Sequence, residues 1–188
     1  QALVALRKQG KSRAVLSVDT FRAATAARAL EAGADMINDV SGGVFEPAIL
    51  DIAAEYRAGY VLGHCPAPPK VMRGHPRADD IVETLLRHFE TQMSALLRAG
   101  LPEECICLDP CIGFGKDLAD TARIFQNIPR LHALGRPLYF GLSRKSFLGT
   151  AAGAAVHERD ALSAVAAALS AAEGVPVHRV HDVPGTAR

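Results

Sequence analysis

The sequence carries almost no net charge: 21 Lys and Arg against 20 Asp and Glu leave +1. That excludes a strong field toward nucleic acid or an anionic membrane. A small anionic substrate stays open, because local charge decides there. No apolar run approaches the ~20 residues of a membrane span. The opening QALVALRKQGKS has no signal h-region and no cleavage site. There is no CxxC, so the four cysteines (65, 105, 107 and 111) match zinc spacings only loosely, and reduced, partly buried thiols in a cytosolic protein are expected. No GxGxxG follows the first strand-like run, and no Walker A is present. No Ser/His/Asp or Cys/His constellation offers a nucleophile.

What is present is a series. AVLSV runs into Asp19-Thr20, ADMI into Asn38-Asp39, YVL into Gly63-His64, CICL into Asp109-Pro110, PLYFGL into Ser143-Arg144-Lys145, and VPV into His178 to Asp182. Helix-like stretches lie between these runs. Hydrophobic residues make up 49% and mean hydropathy is +0.11, which fits one globular domain over residues 1–188. The runs are short and apolar on both faces, as buried parallel strands are. Strands are expected at 14–18, 35–37, 60–63, 105–108, 137–142 and 175–180. Helices are expected at 22–32, 46–58, 79–99, 119–134 and 158–173, with the end of another at 2–9. Residues 143–157 read as loop. So do residues 64–77, where four prolines and one glycine rule out a regular element.

Repeated βα units give either a doubly wound sheet or a barrel. Polar residues at the ends of nearly all strands favour the barrel, whose active sites gather at the C-terminal ends of its strands. The fold class read here is therefore α/β, a (β/α)8 TIM barrel. Six strands stand where the barrel needs eight, so two βα units and a last helix are expected to be missing.

Asp19, Asn38 and Asp109 could grip a heterocycle bearing N–H and amino groups, since an ionised Asp only accepts while Asn also donates. Equally, Asp19 and Asn38 could cap the following helices. Lys145 and Ser143, two apart in an extended segment, would share a face, with Arg144 pointing elsewhere. Lys145 could bind a ring carbonyl, a ring nitrogen or an anion, or be one of a solvated Lys-Arg pair. Arg179 and His181 would also share a face and could bind phosphate, with His178 turned toward the helices. Phe114, between glycines, could stack on a planar ligand or pack its own loop. His64, Cys65, Met72 and His75 receive no role.

Taken together, SVDTFR (17–22), INDVSGG (37–43), LDPCIGFGK (108–116), GLSRKSFLG (141–149) and RVHDV (179–183) resemble the dihydropteroate synthase family. The resemblance runs along essentially the whole chain, from about the third barrel strand to the eighth. It implies a cytoplasmic, homodimeric transferase of folate biosynthesis. That enzyme joins 6-hydroxymethyl-7,8-dihydropterin diphosphate to p-aminobenzoate and releases diphosphate, with Mg2+ as cofactor. Asp19, Asn38, Asp109 and Lys145 match the residues that hold the pterin. Arg179 and His181 match the pair that binds diphosphate. Phe114, Lys145 and Ser146 match the p-aminobenzoate side, where sulfonamides also bind. The metal ligand is expected in the two N-terminal βα units that this chain lacks, together with a lid around p-aminobenzoate.

Three departures bear on activity. Cys111 stands where the family turn has Gly, at a cost of about 1 kcal/mol or more if the turn needs positive φ. Gly63-His64-Cys65 replaces a Met-His-Met pattern, and Thr121 stands in place of an Asn. A pterin-binding paralogue without turnover is therefore the alternative. A corrinoid-linked methyltransferase of the same fold fits less well, because the SRKSF segment carries the arylamine side.

Overall fold

The computed structural model describes residues 2–68, 70–71 and 78–187. Met72 and His75 lie outside the described residues. The chain forms two compact units, Gln1–His64 with His88–Cys107, and Cys65–Arg87 with Leu108–Arg188.

The first unit opens on α1 (Ala2–Lys8) and runs β1 (Ser17–Asp19), α2 (Ala23–Glu31), β2 (Met36–Asp39), α3 (Ala48–Glu55) and β3 (Gly59–Gly63). The strands are parallel. Ser17, Val18 and Asp19 pair with Met36, Ile37 and Asn38, and Met36 to Asp39 pair with Gly59 to Leu62. Helices cross between them, as parallel pairing requires. Ile37, Tyr60, Val61 and Leu62 are fully buried, against Ala26, Ile49 and Ala53 of comparable burial. Each such large side chain contributes about 1.5–3 kcal/mol.

β1 departs from the buried strand expected at 14–18. Its three residues start later and are exposed or half-exposed, and Val15 before them is 67% exposed. Among the described residues it has one strand neighbour, β2, so one edge stays open.

Helix α4 (Ile81–Ala99) and strand β4 (Ile106–Asp109) each carry the chain from one unit into the other. The second unit continues with α5 (Leu118–Gln126), α6 (Ile128–His132), β5 (Tyr139–Phe140), α7 (Ser146–Ala152), α8 (Asp160–Ala172), β6 (Val177–His178) and α9 (Val183–Thr186). β5 pairs with β6 in parallel, and Leu108 bridges Leu138 in the same sense. Leu108, Ile112, Ile124, Ile128, Leu138 and Phe140 form its buried core.

Three expectations change here. The helix expected over 119–134 breaks at Asn127, because Pro129 has no N–H to donate and its ring crowds the carbonyl four residues back. The loop expected over 143–157 contains α7, which Gly149 disguised as a poor helix. One turn of helix, α9, follows Asp182, whose side chain accepts the Gly185 N–H.

Candidate functional site

The sequence-predicted residues fall at strand ends, and more tightly than expected: Asp19, Asn38 and Asp109 are strand residues and not the first residues of loops. In the first unit, Asp19 and Asn38 are register partners on adjacent parallel strands. Asn38 Nδ2 donates to Asp19 Oδ2 at 3.2 Å. Asn38 is buried and Asp19 is exposed. The capping alternative fails for both. The Ala23 N–H that opens α2 is accepted by Glu46 Oε1 at 2.9 Å, and Asn38 turns to Asp19.

Asp39 does the local structural work that sequence reasoning left unassigned. Its Oδ1 accepts the Ser41 N–H and the Ser41 hydroxyl, both at 2.8 Å. Its Oδ2 accepts the Gly43 N–H at 2.7 Å and the Tyr60 hydroxyl at 2.6 Å. Burial first, and then the Asp39 charge and hydrogen bond, push the Tyr60 phenol well above its ordinary range, so it stays a donor. Neighbouring strand residues face opposite ways, so anchoring Asp39 on one face presents Asn38 on the other. The signal in the sequence was the Ser-Gly-Gly after Asp39. Gly42 has φ +60, and a Cβ there would stand 2.7 Å from the Gly63 carbonyl.

The second unit holds the denser group. Asp109 is buried at the end of β4, and its Oδ1 accepts the Cys111 N–H at 2.7 Å. Burial pushes its carboxyl up, against the lowering effects of the Cys111 N–H, of the Lys145 and Lys116 ammoniums and of the Cys111 thiol. Lys145 Nζ lies 3.8 Å from the centre of the Phe114 ring, a cation–π contact. Burial lowers the Lys145 ammonium, which Asp109 and Cys111 partly restore and which Arg179 and Lys116 lower further. Phe114 is thus more than loop packing, and Lys145 is half-buried rather than one of a solvated pair.

Lys116 is the second residue the sequence reading passed over. It is buried, and its Nζ donates to the Phe114 carbonyl at 3.2 Å and the Cys111 carbonyl at 3.5 Å. A lysine closing the glycine-rich turn Gly113-Phe114-Gly115 was the available signal. The turn itself needs positive φ: Cys111 sits at +49. The strain foreseen for replacing glycine is therefore present, of order 1–2 kcal/mol.

Ser143 and Lys145 do not share an extended face. Arg144 has φ +58, and the Lys145 N–H donates to the Leu142 carbonyl at 3.3 Å, so the segment turns. Arg144 does point elsewhere, as a fork onto Asp160 at 2.7 and 2.8 Å. Ser143 instead holds His181: its Oγ accepts the His181 N–H at 3.2 Å and faces Nδ1 at 2.9 Å. That leaves Nε2 as the ring nitrogen turned away. Arg179 follows β6, with its guanidinium against Gly141, where a Cβ would stand 3.2 Å from Nη2. His178 turns the other way, as expected, and meets Ser170 of α8 at 2.8 Å. Ser146 is exposed at the first turn of α7. His64 is buried with its ring edge-on to His88 at 4.8 Å, and Cys65 is also buried. No disulfide joins any of the four cysteines. Among the described residues, no group of three or more His, Cys, Asp or Glu side chains is placed to hold a metal ion.

A model of the pterin binding enzyme family matches residues 1–181. The chain belongs to that family. Its fold class is α/β, the (β/α)8 barrel. It is 37% identical to a dihydropteroate synthase of Synechocystis over 92% of this chain and 60% of that protein. A dihydropteroate synthase from Xanthomonas albilineans, solved with 7,8-dihydropteroate, is 37% identical, with TM-score 0.87 over 98% of this chain and 67% of that one. The same organism's enzyme, solved with 4-aminobenzoic acid, is 38% identical at TM-score 0.87, over 97% of this chain and 66% of that one. The chain thus spans about 60% of the length of the curated relative it matches. This member of the pterin-binding family buries Cys65 and Cys111 in the unit that holds Asp109.

Proposed function

We propose that the protein carrying this chain is a dihydropteroate synthase. It condenses 6-hydroxymethyl-7,8-dihydropterin diphosphate with p-aminobenzoate in folate biosynthesis. The observation that carries this reading is the Lys145 ammonium over the Phe114 ring, in the unit whose buried acceptor is Asp109. An acceptor-only carboxylate suits the amino-pyrimidinone edge of a pterin. Asn38, paired with Asp19, supplies a donor and an acceptor for the ring's polar rim, and Lys145 supplies a donor. Phe114, Lys145 and Ser146 form the p-aminobenzoate side. Arg179 and the outward Nε2 of His181 neutralise the leaving diphosphate. The C–O bond to diphosphate breaks as the arylamine nitrogen bonds the methylene carbon and sheds its proton, so no protein nucleophile is needed. Mg2+ belongs to the reading for the whole protein, and the described residues supply no step through it.

One family model running over residues 1–181 supports a single domain. A homodimer and a cytoplasmic location complete the reading. Among the described residues, no helix is long and apolar enough to cross a membrane. The strained Cys111 turn favours one second reading, a paralogue that binds pterin without turnover. Diphosphate release separates the two. The synthase reading expects release that depends on p-aminobenzoate and Mg2+ and disappears in Lys145→Ala. Pterin binding without release would leave the paralogue, and pterin binding unchanged in Lys145→Ala would sink the site assignment altogether.

A further inference from the structure

We infer that Arg159 is a positioning residue that aims Lys145 at the Phe114 ring. Its value for substrate binding rests on the synthase reading, but the geometry does not. The segment to be held is an awkward one. Arg144 sits at φ +58, and Lys145 at once returns to extended backbone before α7 begins. The Lys145 carbonyl accepts the Leu148 N–H at 3.2 Å as α7 opens, and both it and the Arg144 carbonyl have acceptor capacity for further donors.

Arg159 supplies them. Its Nη1 donates to the carbonyls of Arg144 at 3.2 Å and Lys145 at 3.4 Å, and its Nε to the carbonyl of Ala154 at 3.1 Å. One planar fork therefore ties the residue that presents the ammonium to the far end of α7. The same stretch of chain grips the turn twice more. Ser163 Oγ accepts the Arg144 N–H at 3.0 Å and donates to the Arg159 carbonyl at 2.6 Å. Asp160 takes the Arg144 guanidinium. Gly149 makes room: a Cβ there would overlap the Arg159 guanidinium. The glycine that hid α7 from sequence reading is thus explained as the seat of this arginine. Lysine in place of Arg159 has one ammonium and no fork, and could not span three carbonyls in this way.

The test reads Lys145 directly. Protons on the carbon next to Nζ lie in the shielding cone of the Phe114 ring. One lysine side-chain resonance should be shifted upfield in the wild-type chain, and it should vanish in Lys145→Arg and relax in Phe114→Leu. Arg159→Gln should move it toward the position of exposed lysines while circular dichroism stays unchanged. Gly149→Ala, which favours a helix, should do the same by displacing the guanidinium, and it decides the matter if Arg159→Gln does not fold. A merely structural role would lower the melting temperature and leave the shielding alone. An unmoved resonance in a folded Gly149→Ala chain overturns the inference. In calorimetry with 6-hydroxymethyl-7,8-dihydropterin diphosphate, both variants should bind about tenfold more weakly, the loss of one charge-assisted contact. If the wild type binds no pterin, the synthase reading falls while the resonance still judges Arg159. If the wild type binds and the variants bind equally well, Arg159 is not a positioning residue.

Discussion

Asp39 and Asp109 are the same residue type, each the last residue of a parallel strand, each buried, in different units of the molecule. Their surroundings differ. Asp39 accepts two backbone N–H groups and two hydroxyls, so its lone pairs are spent on the Ser41-Gly43 loop and on Tyr60. Asp109 accepts one backbone N–H, with the Cys111 thiol beside it, and its charge is balanced by the buried Lys116 and half-buried Lys145 ammoniums. Position at a strand end does not separate a carboxylate whose acceptor capacity is used up from one with capacity to spare. The separation lies in what fills the lone pairs.

The sharpest way to break this contrast is to remove each carboxylate. Asp39→Ala leaves a set of buried donors without an acceptor and should cost about 3–5 kcal/mol, the range for disrupting a buried polar network. Urea denaturation reads it. Asp109→Asn keeps the shape and removes a charge that burial disfavours, so its stability should stay within about 1 kcal/mol of wild type. Pterin affinity should instead fall about tenfold or more in that variant, because an acceptor-only group becomes partly a donor. If the two variants lose equal stability, Asp109 is a structural residue like Asp39 and the contrast is void.

The sequence showed the βα alternation and the strand-end residues because both are local patterns: apolar runs of four or five residues, each followed by polar ones. It could not show which of Asn38 and Asp39 is anchored within the fold, since that depends on Tyr60, a residue 21 positions beyond Asp39. It misjudged Ser143 and Lys145 because an alternation rule assumes extended backbone, and a non-glycine residue at positive φ is not foreseen from composition. Ser143 found its role only through His181, 38 positions away. Lys116 stands in the GFGK motif without a role legible from sequence, because burial of a lysine is a tertiary fact. The family resemblance implied roles for Asp109, Phe114 and Lys145, and the structure sets the Lys145 ammonium over the Phe114 ring under the influence of the Asp109 charge.

The smallest expected effect is the share of the pH dependence that comes from the Asp109 group, since Tyr60, raised beside Asp39, adds an alkaline share of opposite sign to that of the lysines. Burial lowers Lys116 and Lys145 below the ordinary lysine range, with Cys111, Cys65, Asp109 and Asp120 opposing that shift at Lys116. The unfolded chain then binds more protons than the native one between the lowered native values and the ordinary lysine value. Stability rises with pH across that alkaline window and is lost as pH falls through the native values. Asp109 runs the other way. Its raised carboxyl contributes stability that is present below the ordinary carboxylate value and is lost as pH rises through its native value. Urea midpoints measured against pH should therefore show both limbs in the wild type. Lys116→Met should flatten the alkaline limb, and Asp109→Asn should remove the acidic one. Limbs that persist unchanged in both variants would place the coupled charges elsewhere, and Asp109 would lose the electrostatic setting that distinguishes it from Asp39.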